Sequence, residues 1–227
     1  MEQKVIISTS LDKHLSDSIT EVKPDKLFVL CDDTTSDNCW PIISSFKSVI
    51  DAKLIIIKHG DENKTIETLA LVWDALQQYG ATRHSMLINL GGGMVTDLGG
   101  FAASTFKRGI HFVNIPTTLL SMVDASVGGK TAIDLPAGKN LAGAFYQPSL
   151  VVCDTNTMGT LPEEIFRDGC AEVIKTAILF DEPLFMELVR DRLKFDREAV
   201  IAACVRHKRD MVVADEFDRG QRNLLNL

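Results

Sequence analysis

The chain has 227 residues, 45% of them hydrophobic, enough to bury a substantial core without a disulfide or metal staple. A formal charge of −7 argues against a surface that tracks nucleic-acid phosphates, yet leaves room for a few lysines to converge on one small anion. The five cysteines are widely spread and never form a Cys-x-x-Cys pair, which excludes a disulfide framework or zinc ribbon and points to a reducing cytoplasm.

The opening MEQKVIISTS lacks the basic start and long apolar stretch of a signal peptide, and no apolar run approaches the roughly 20 residues of a membrane span. A soluble, cytoplasmic protein with neither membrane nor nucleic-acid partners is expected. In chain order, short apolar runs recur at Val5–Ser8, Leu27–Asp32, Leu54–Lys58, Met86–Leu90, His111–Ile115 and Leu150–Asp154. Their continuous rather than alternating character predicts strands buried on both faces. Helical patterns lie between them, clearest over Thr65–Tyr79, where Ile66, Leu69, Val72, Trp73 and Leu76 share one face. Alternating strands and helices predict a mostly parallel sheet with helices on its faces.

From about Pro162 the strand signals stop. PEEIFRDGCAEVIKTAILF, EPLFMELVRDRL and REAVIAACVRHKRDMVVADEF read as three amphipathic helices, the first opened by Thr160, Pro162 and two glutamates. A boundary near residue 160 is expected, with a nucleotide-binding α/β domain over 1–160 and the first part of an all-α domain over 161–227. The sequence stops in the apolar NLLNL, as a fragment of a longer chain would.

Four motifs carry chemistry. In LINLGGGMVTDLGG a predicted strand breaks into glycines and leads into a helix, so bare N–H groups at a helix N-terminus can meet a pyrophosphate. The match to G-x-G-x-x-G is imperfect, and glycines alone read equally well as a tight turn. DASVGGKTAID resembles a P-loop until Asp124, which stands where a Walker A glycine is required and would repel a triphosphate. LPAGKNLAGAFYQP adds a second Gly-Lys pair, with Lys139 suited to a phosphate or carboxylate and Asn140 able to orient hydroxyls. CAEVIKT sets Glu172 and Lys175 three apart on one helix face, either as a surface ion pair or as part of a site. The five histidines show no H-E-x-x-H spacing, so a metal site closed within the chain is not expected.

Taken together, GDENK, GGGMVTD, FKRG, PTTLLSMVDASVGGKT, GKN, GAFYQP, CAEVIK and RHKRDMVVADEFDRGQRNLLNL resemble the 3-dehydroquinate synthases, from about residue 59 to the end and in the family's order. The resemblance implies a Rossmann-like NAD-binding α/β domain followed by an all-α domain, with the active site between them. It implies catalytic NAD and a divalent metal, zinc or cobalt. The implied reaction converts 3-deoxy-D-arabino-heptulosonate 7-phosphate to 3-dehydroquinate plus phosphate, in the shikimate route to aromatic amino acids.

By the same resemblance, Gly92, Gly93, Asp97, Thr117, Thr118, Lys130, Lys139 and the Thr157–Thr160 stretch would surround NAD, with Glu62 and Lys64 on its adenosine side. Asp124, Lys130, Asn140, Lys175, Lys208, Arg222 and Asn226 would contact the sugar phosphate. Arg108 would reach the phosphate held by a neighbouring subunit, implying a homodimer, and Glu172 would ligate the metal. The family continues after its L-N-x block with Gly-His-Thr, and two downstream histidines complete its metal site. This sequence stops at Leu227, so the chain as given is expected to bind NAD and not turn over. Asp218 stands where the family has glutamate. Rival readings are an aminocyclitol-forming cyclase of the same fold, a metal-dependent polyol dehydrogenase and a non-catalytic NAD-binding fragment.

Overall fold

A computed structural model describes residues 4–226. The chain opens with β1 (Val5–Ile7), α1 (Leu11–Val22), β2 (Leu27–Asp32), the short α2 (Asp33–Asn38) and α3 (Trp40–Ile43), then β3 (Lys53–Ile57). It continues through α4 (Ile66–Gln78), β4 (Met86–Gly91), α5 (Gly93–Thr105) and β5 (His111–Pro116). A hairpin of β6 (Lys130–Leu135) and β7 (Gly138–Phe145) precedes β8 (Leu150–Cys153). Three helices follow, α6 (Glu163–Phe180), α7 (Glu182–Arg190) and α8 (Arg197–Ala214).

Six strands form one parallel sheet in the order β1-β8-β5-β4-β2-β3, and all six are the apolar runs expected to be strands. Side chains alternate between its faces, as a pleated strand requires. Phe28, Leu30, Leu87 and Phe112 pack against α4 and α5 on one side. Val29, Cys31, Ile88 and Val113 pack against Leu11, Leu15 and Ile43 on the other. The inner strands β2, β4, β5 and β8 are covered on both faces, which explains their unbroken apolar runs, while the edge strand β3 exposes Lys53 and Ile56.

The helical part joins the sheet through a third cluster. Val173 and Ala177 of α6, Leu184 of α7 and Ile201, Cys204 and Val205 of α8 pack with Val151 and Cys153 of β8. Leu119, Met122 and Val123 complete it, contributed by the segment that ends in a π-helical turn over Ser121–Ala125.

Two features differ from the sequence expectation. The Gly-Lys segments, not among the expected strands, form the antiparallel β6–β7 hairpin, which is held by packing rather than by intrinsic propensity: Ile133 is fully buried among the residues between sheet and helices. The last helix ends at Ala214 rather than continuing to Phe217. There the Asp215 carboxylate accepts from the N–H groups of Arg219, Gly220 and Arg222, which turns the chain back toward the sheet. Gln221–Asn226 then form a 3-10 turn.

Candidate active site

The C-terminal ends of β4 and β5 open onto a groove. Gly91 pairs with Pro116 at the sheet's rim, and the next residues start α5, whose first N–H groups have no intrahelical acceptor. A Cβ on Gly92 would stand 3.2 Å from Thr118 Cγ2, and one on Gly93 3.3 Å from Ala125 Cβ. The glycines leave space between helix and π-turn, which is what a pyrophosphate approaching a helix N-terminus needs. Asp61, Lys64, Gly93, Met94, Asp97 and Thr118 line this part of the groove.

A cavity of about 570 Å³ continues from it, sharing Asp97 and Ala125 as walls. Asp124, Lys130, Asn140, Lys208, Arg222 and Asn226 line this second part, so six of the expected substrate residues converge. They come from the π-turn, the hairpin, α8 and the terminal turn, elements distant in sequence.

Three of the cations around the groove and cavity are buried, while the Lys130 side chain is 41% exposed. Arg222 is 1% exposed, Lys64 5% and Lys208 8%. The Arg222 guanidinium donates to the carbonyls of Gly128 (2.9 Å) and Glu216 (2.7 Å), which fixes it in place. Lys208 Nζ donates to the Asp124 carboxylate at 2.5 Å. Lys130 pairs with Asp218 and reaches Asn226 Oδ1 at 3.3 Å. Asp218 therefore keeps an acid opposite Lys130, with a shorter arm than the glutamate expected there.

The acids divide electrostatically. Burial pushes the Asp97 carboxyl up to about 6, against the opposing pull of Lys64. Burial acts on Asp124 in the same direction, but Lys208, Lys175 and Lys130 outweigh it and hold that carboxyl below the ordinary range. Two carboxylates in one cavity thus differ in proton affinity. On Lys208 burial pushes the ammonium down despite Asp124, so part of the pair's attraction is spent on removing the ammonium from water.

Lys175 stands beside the cavity. Its Nζ lies 2.5 Å from Glu172 Oε2 and donates to the Leu225 carbonyl at 2.8 Å, so the Glu172–Lys175 pair is half-buried and built into the site rather than an ordinary surface contact. Glu172 Oε2 is buried and has no hydrogen bond of proper geometry among the described residues. Glu172 is a carboxylate, an oxygen donor of the kind a divalent metal takes, and here it is held by the Lys175 ammonium. No group of three or more His, Cys, Asp or Glu side chains that could hold a metal occurs among the described residues, so Glu172 is a single donor there.

Several expected residues lie elsewhere. Glu62 is exposed and its carboxylate folds back over Gly60; the neighbouring Asp61 lines the groove and pairs with Lys139 instead. Lys64 lies within the groove, where its ammonium bridges Asp97 (2.5 Å) and Asn140 (2.6 Å). Thr157 is 2% exposed and its hydroxyl, 2.7 Å from the Asp154 carbonyl and 3.1 Å from that of Pro116, shares its one proton between them and ties the ends of β5 and β8 together. Thr117 is likewise buried, with its N–H bonded to the Gly91 carbonyl, and Thr160 is exposed. Arg108 borders a separate cavity of about 430 Å³ with Arg83 and Lys107. Sequence reasoning missed Asp61; the acid three residues before Lys64 was the available signal.

Residues 54–168 match the family profile described as the 3-dehydroquinate synthase N-terminal domain, and residues 169–227 match its C-terminal counterpart. The chain belongs to the 3-dehydroquinate synthase family. It is 42% identical over 229 residues to the 3-dehydroquinate synthase of Clostridium botulinum (strain Alaska E43 / Type E3), covering 98% of this chain and 65% of that protein. It is 51% identical over 179 residues to the 3-dehydroquinate synthase of Pelobacter propionicus, covering 76% of this chain and 50% of the relative. Among solved structures, 2-epi-5-epi-valiolone synthase from Streptomyces hygroscopicus subsp. jinggangensis 5008, with NAD+ and Zn2+ bound, superposes with a TM-score of 0.85 at 26% identity. That match covers 100% of this chain and 65% of the synthase. The family member described here thus spans 65% of the Clostridium relative's length. No helix of the structure is long and apolar enough to cross a membrane.

Proposed function

We propose that this chain carries the NAD-binding and much of the sugar-phosphate-binding machinery of a 3-dehydroquinate synthase. The observation that carries this is the convergence of Lys130, Lys208, Arg222 and Asn226 on one cavity that continues into the glycine-edged groove at α5. NAD would lie along that groove, over Gly92, Gly93 and Thr118, between Asp61 and Asp97. When bound, it supplies a reversible hydride acceptor for one carbinol of the substrate. Zinc or cobalt would take Glu172 as one ligand, with the family's two downstream histidines as the others.

The chain's own groups then divide the work. Lys208 and Arg222, held in place and desolvated, stabilise the anionic sugar phosphate more strongly than exposed lysines would. Asp124, surrounded by ammonium groups, is a poor proton acceptor and serves to orient Lys208 and a substrate hydroxyl. Asp97, with its carboxyl near 6, changes charge close to neutral pH beside the cofactor. Arg108, on a different cavity from Lys130, would act only in a neighbouring subunit's site, within a cytoplasmic homodimer.

The test has two arms. The chain described here should bind NAD in a fluorescence titration. A protein extended by the rest of the family's helical domain should release phosphate from 3-deoxy-D-arabino-heptulosonate 7-phosphate, given NAD and zinc, with no growth in absorbance at 340 nm. Steady NADH accumulation without phosphate release would identify a dehydrogenase instead. Turnover of an aminocyclitol precursor in preference to the heptulosonate would move the protein to the neighbouring cyclase group.

A further inference from the structure

Asn140 occupies a bulge in the hairpin. Between the pairs Ile133–Ala142 and Leu135–Gly138, β7 uses more residues than β6, and Asn140 takes a left-handed φ of 56° there. Bulges of this kind re-aim a side chain. Three hydrogen bonds close a cycle around this one. Lys64 Nζ donates to Asn140 Oδ1 at 2.6 Å, the Asn140 N–H donates to Asp134 Oδ1 at 2.7 Å, and the Asp134 N–H donates to the Lys64 carbonyl at 2.8 Å. Lys64 is anchored from its other side by Asp97 Oδ2 at 2.5 Å, and its side chain is only 6% exposed.

The chemistry of the donors fixes the amide's orientation. An ammonium can only donate, so the Asn140 oxygen must face Lys64 and the Nδ2 group must face away. Nδ2 makes no hydrogen bond to any described residue, and Asn140 lines the large cavity.

We infer that Lys64 is a positioning residue for Asn140: it locks the carboxamide so that a ligand in the cavity meets Nδ2, a group that only donates. The ligand group opposite Asn140 is therefore an acceptor, such as a carboxylate, phosphate or carbonyl oxygen, and not a hydroxyl used as donor. The identity of that ligand rests on the proposed function; the orientation of the amide does not. Lys64 thereby acts on the substrate side of the groove, through Asn140, in addition to its contact with Asp97.

Asn140→Asp is the most direct test, because it preserves an oxygen for Lys64 while replacing the outward donor by an acceptor. Binding would be followed by titration calorimetry at saturating NAD, with 3-deoxy-D-arabino-heptulosonate 7-phosphate and inorganic phosphate as probes. A loss of about 10- to 100-fold in affinity is expected, the size of a lost hydrogen bond to a charged partner. Unchanged or tighter binding overturns the inference. In a double-mutant cycle, Lys64→Met should weaken sugar-phosphate binding several-fold less in the Asn140→Ala background than in the wild type, since its share of the loss that runs through Asn140 is then already gone. Full additivity overturns it.

A readout without ligand completes the test. The Asn140 side-chain NH2 resonances should move toward free-amide values in Lys64→Met; resonances that stay in place overturn the inference. Should Lys64→Met fail to fold, Asn140→Asp decides alone. A wild-type chain that binds neither probe overturns the sugar-phosphate reading, and the carboxamide resonances then decide the role of Lys64.

Discussion

One ammonium grips Asp124 twice: Lys208 Nζ lies 2.6 Å from its backbone carbonyl oxygen and 2.5 Å from its carboxylate Oδ1. The contact ties the middle of α8 to the π-turn, and so joins the helical part to the groove. Lys208→Met should destabilise the protein by about 1–3 kcal/mol at pH 7, less than a fully buried pair because the Asp124 side chain is partly exposed. The Asp124 carboxyl is depressed in the folded state, so its contribution is present above the unfolded value near 4 and is lost as pH falls through the lower folded value. Urea unfolding of both proteins at pH 7 and pH 3 should show the difference shrinking in acid. A difference that does not shrink at all in acid would mean that the carboxylate's charge is not what Lys208 contributes.

Asp97 predicts the opposite slope. Its folded carboxyl is raised to about 6, so the folded state holds an extra proton between the unfolded value of 3.8 and that figure. Stability from this group falls as pH rises across that window, by on the order of 2–3 kcal/mol. Asp97→Asn keeps an oxygen for Lys64 and removes the titration. Thermal midpoints measured from pH 4 to pH 8 should vary less with pH in the variant than in the wild type; parallel curves would contradict the raised carboxyl.

Gly128 is required on two counts. Its φ is 97°, and an added Cβ would lie 2.4 Å from Arg222 Nη2 and 2.8 Å from Val212 Cγ2. Gly128→Ala should cost about 2–4 kcal/mol and loosen the terminal turn, because the Gly128 carbonyl is an acceptor for Arg222. Limited proteolysis reports this directly, as faster cleavage after Arg219 and Arg222.

Thr157→Val separates structure from cofactor contact. The hydroxyl it removes serves the carbonyls of Asp154 and Pro116, so a loss of about 1–2 kcal/mol in stability is expected with NAD affinity unchanged within about twofold. A tenfold weaker NAD complex would return Thr157 to the cofactor site.

Much of this was readable along the chain. Six strands stood out, the inner ones because a strand covered on both faces must be apolar throughout. The β6–β7 hairpin did not, since its alanines and glycines gain their extended form from neighbours such as Gly100 of α5, which leaves room for Thr131. Asp61 and Glu62 are adjacent acids in one 3-10 turn, and only the backbone path decides which of them meets Lys139.

Residue type and order alone therefore determined that this protein has a parallel sheet, a glycine-edged helix start and an excess of lysines near one motif set, because burial and bare backbone are written locally. Which lysine faces which acid, which carboxyl keeps its proton, and which end of Asn140 meets a ligand were decided by tertiary structure. Those properties depend on charges and dielectric brought together from residues far apart in the chain, as Lys130 and Asp218 are at 88 positions.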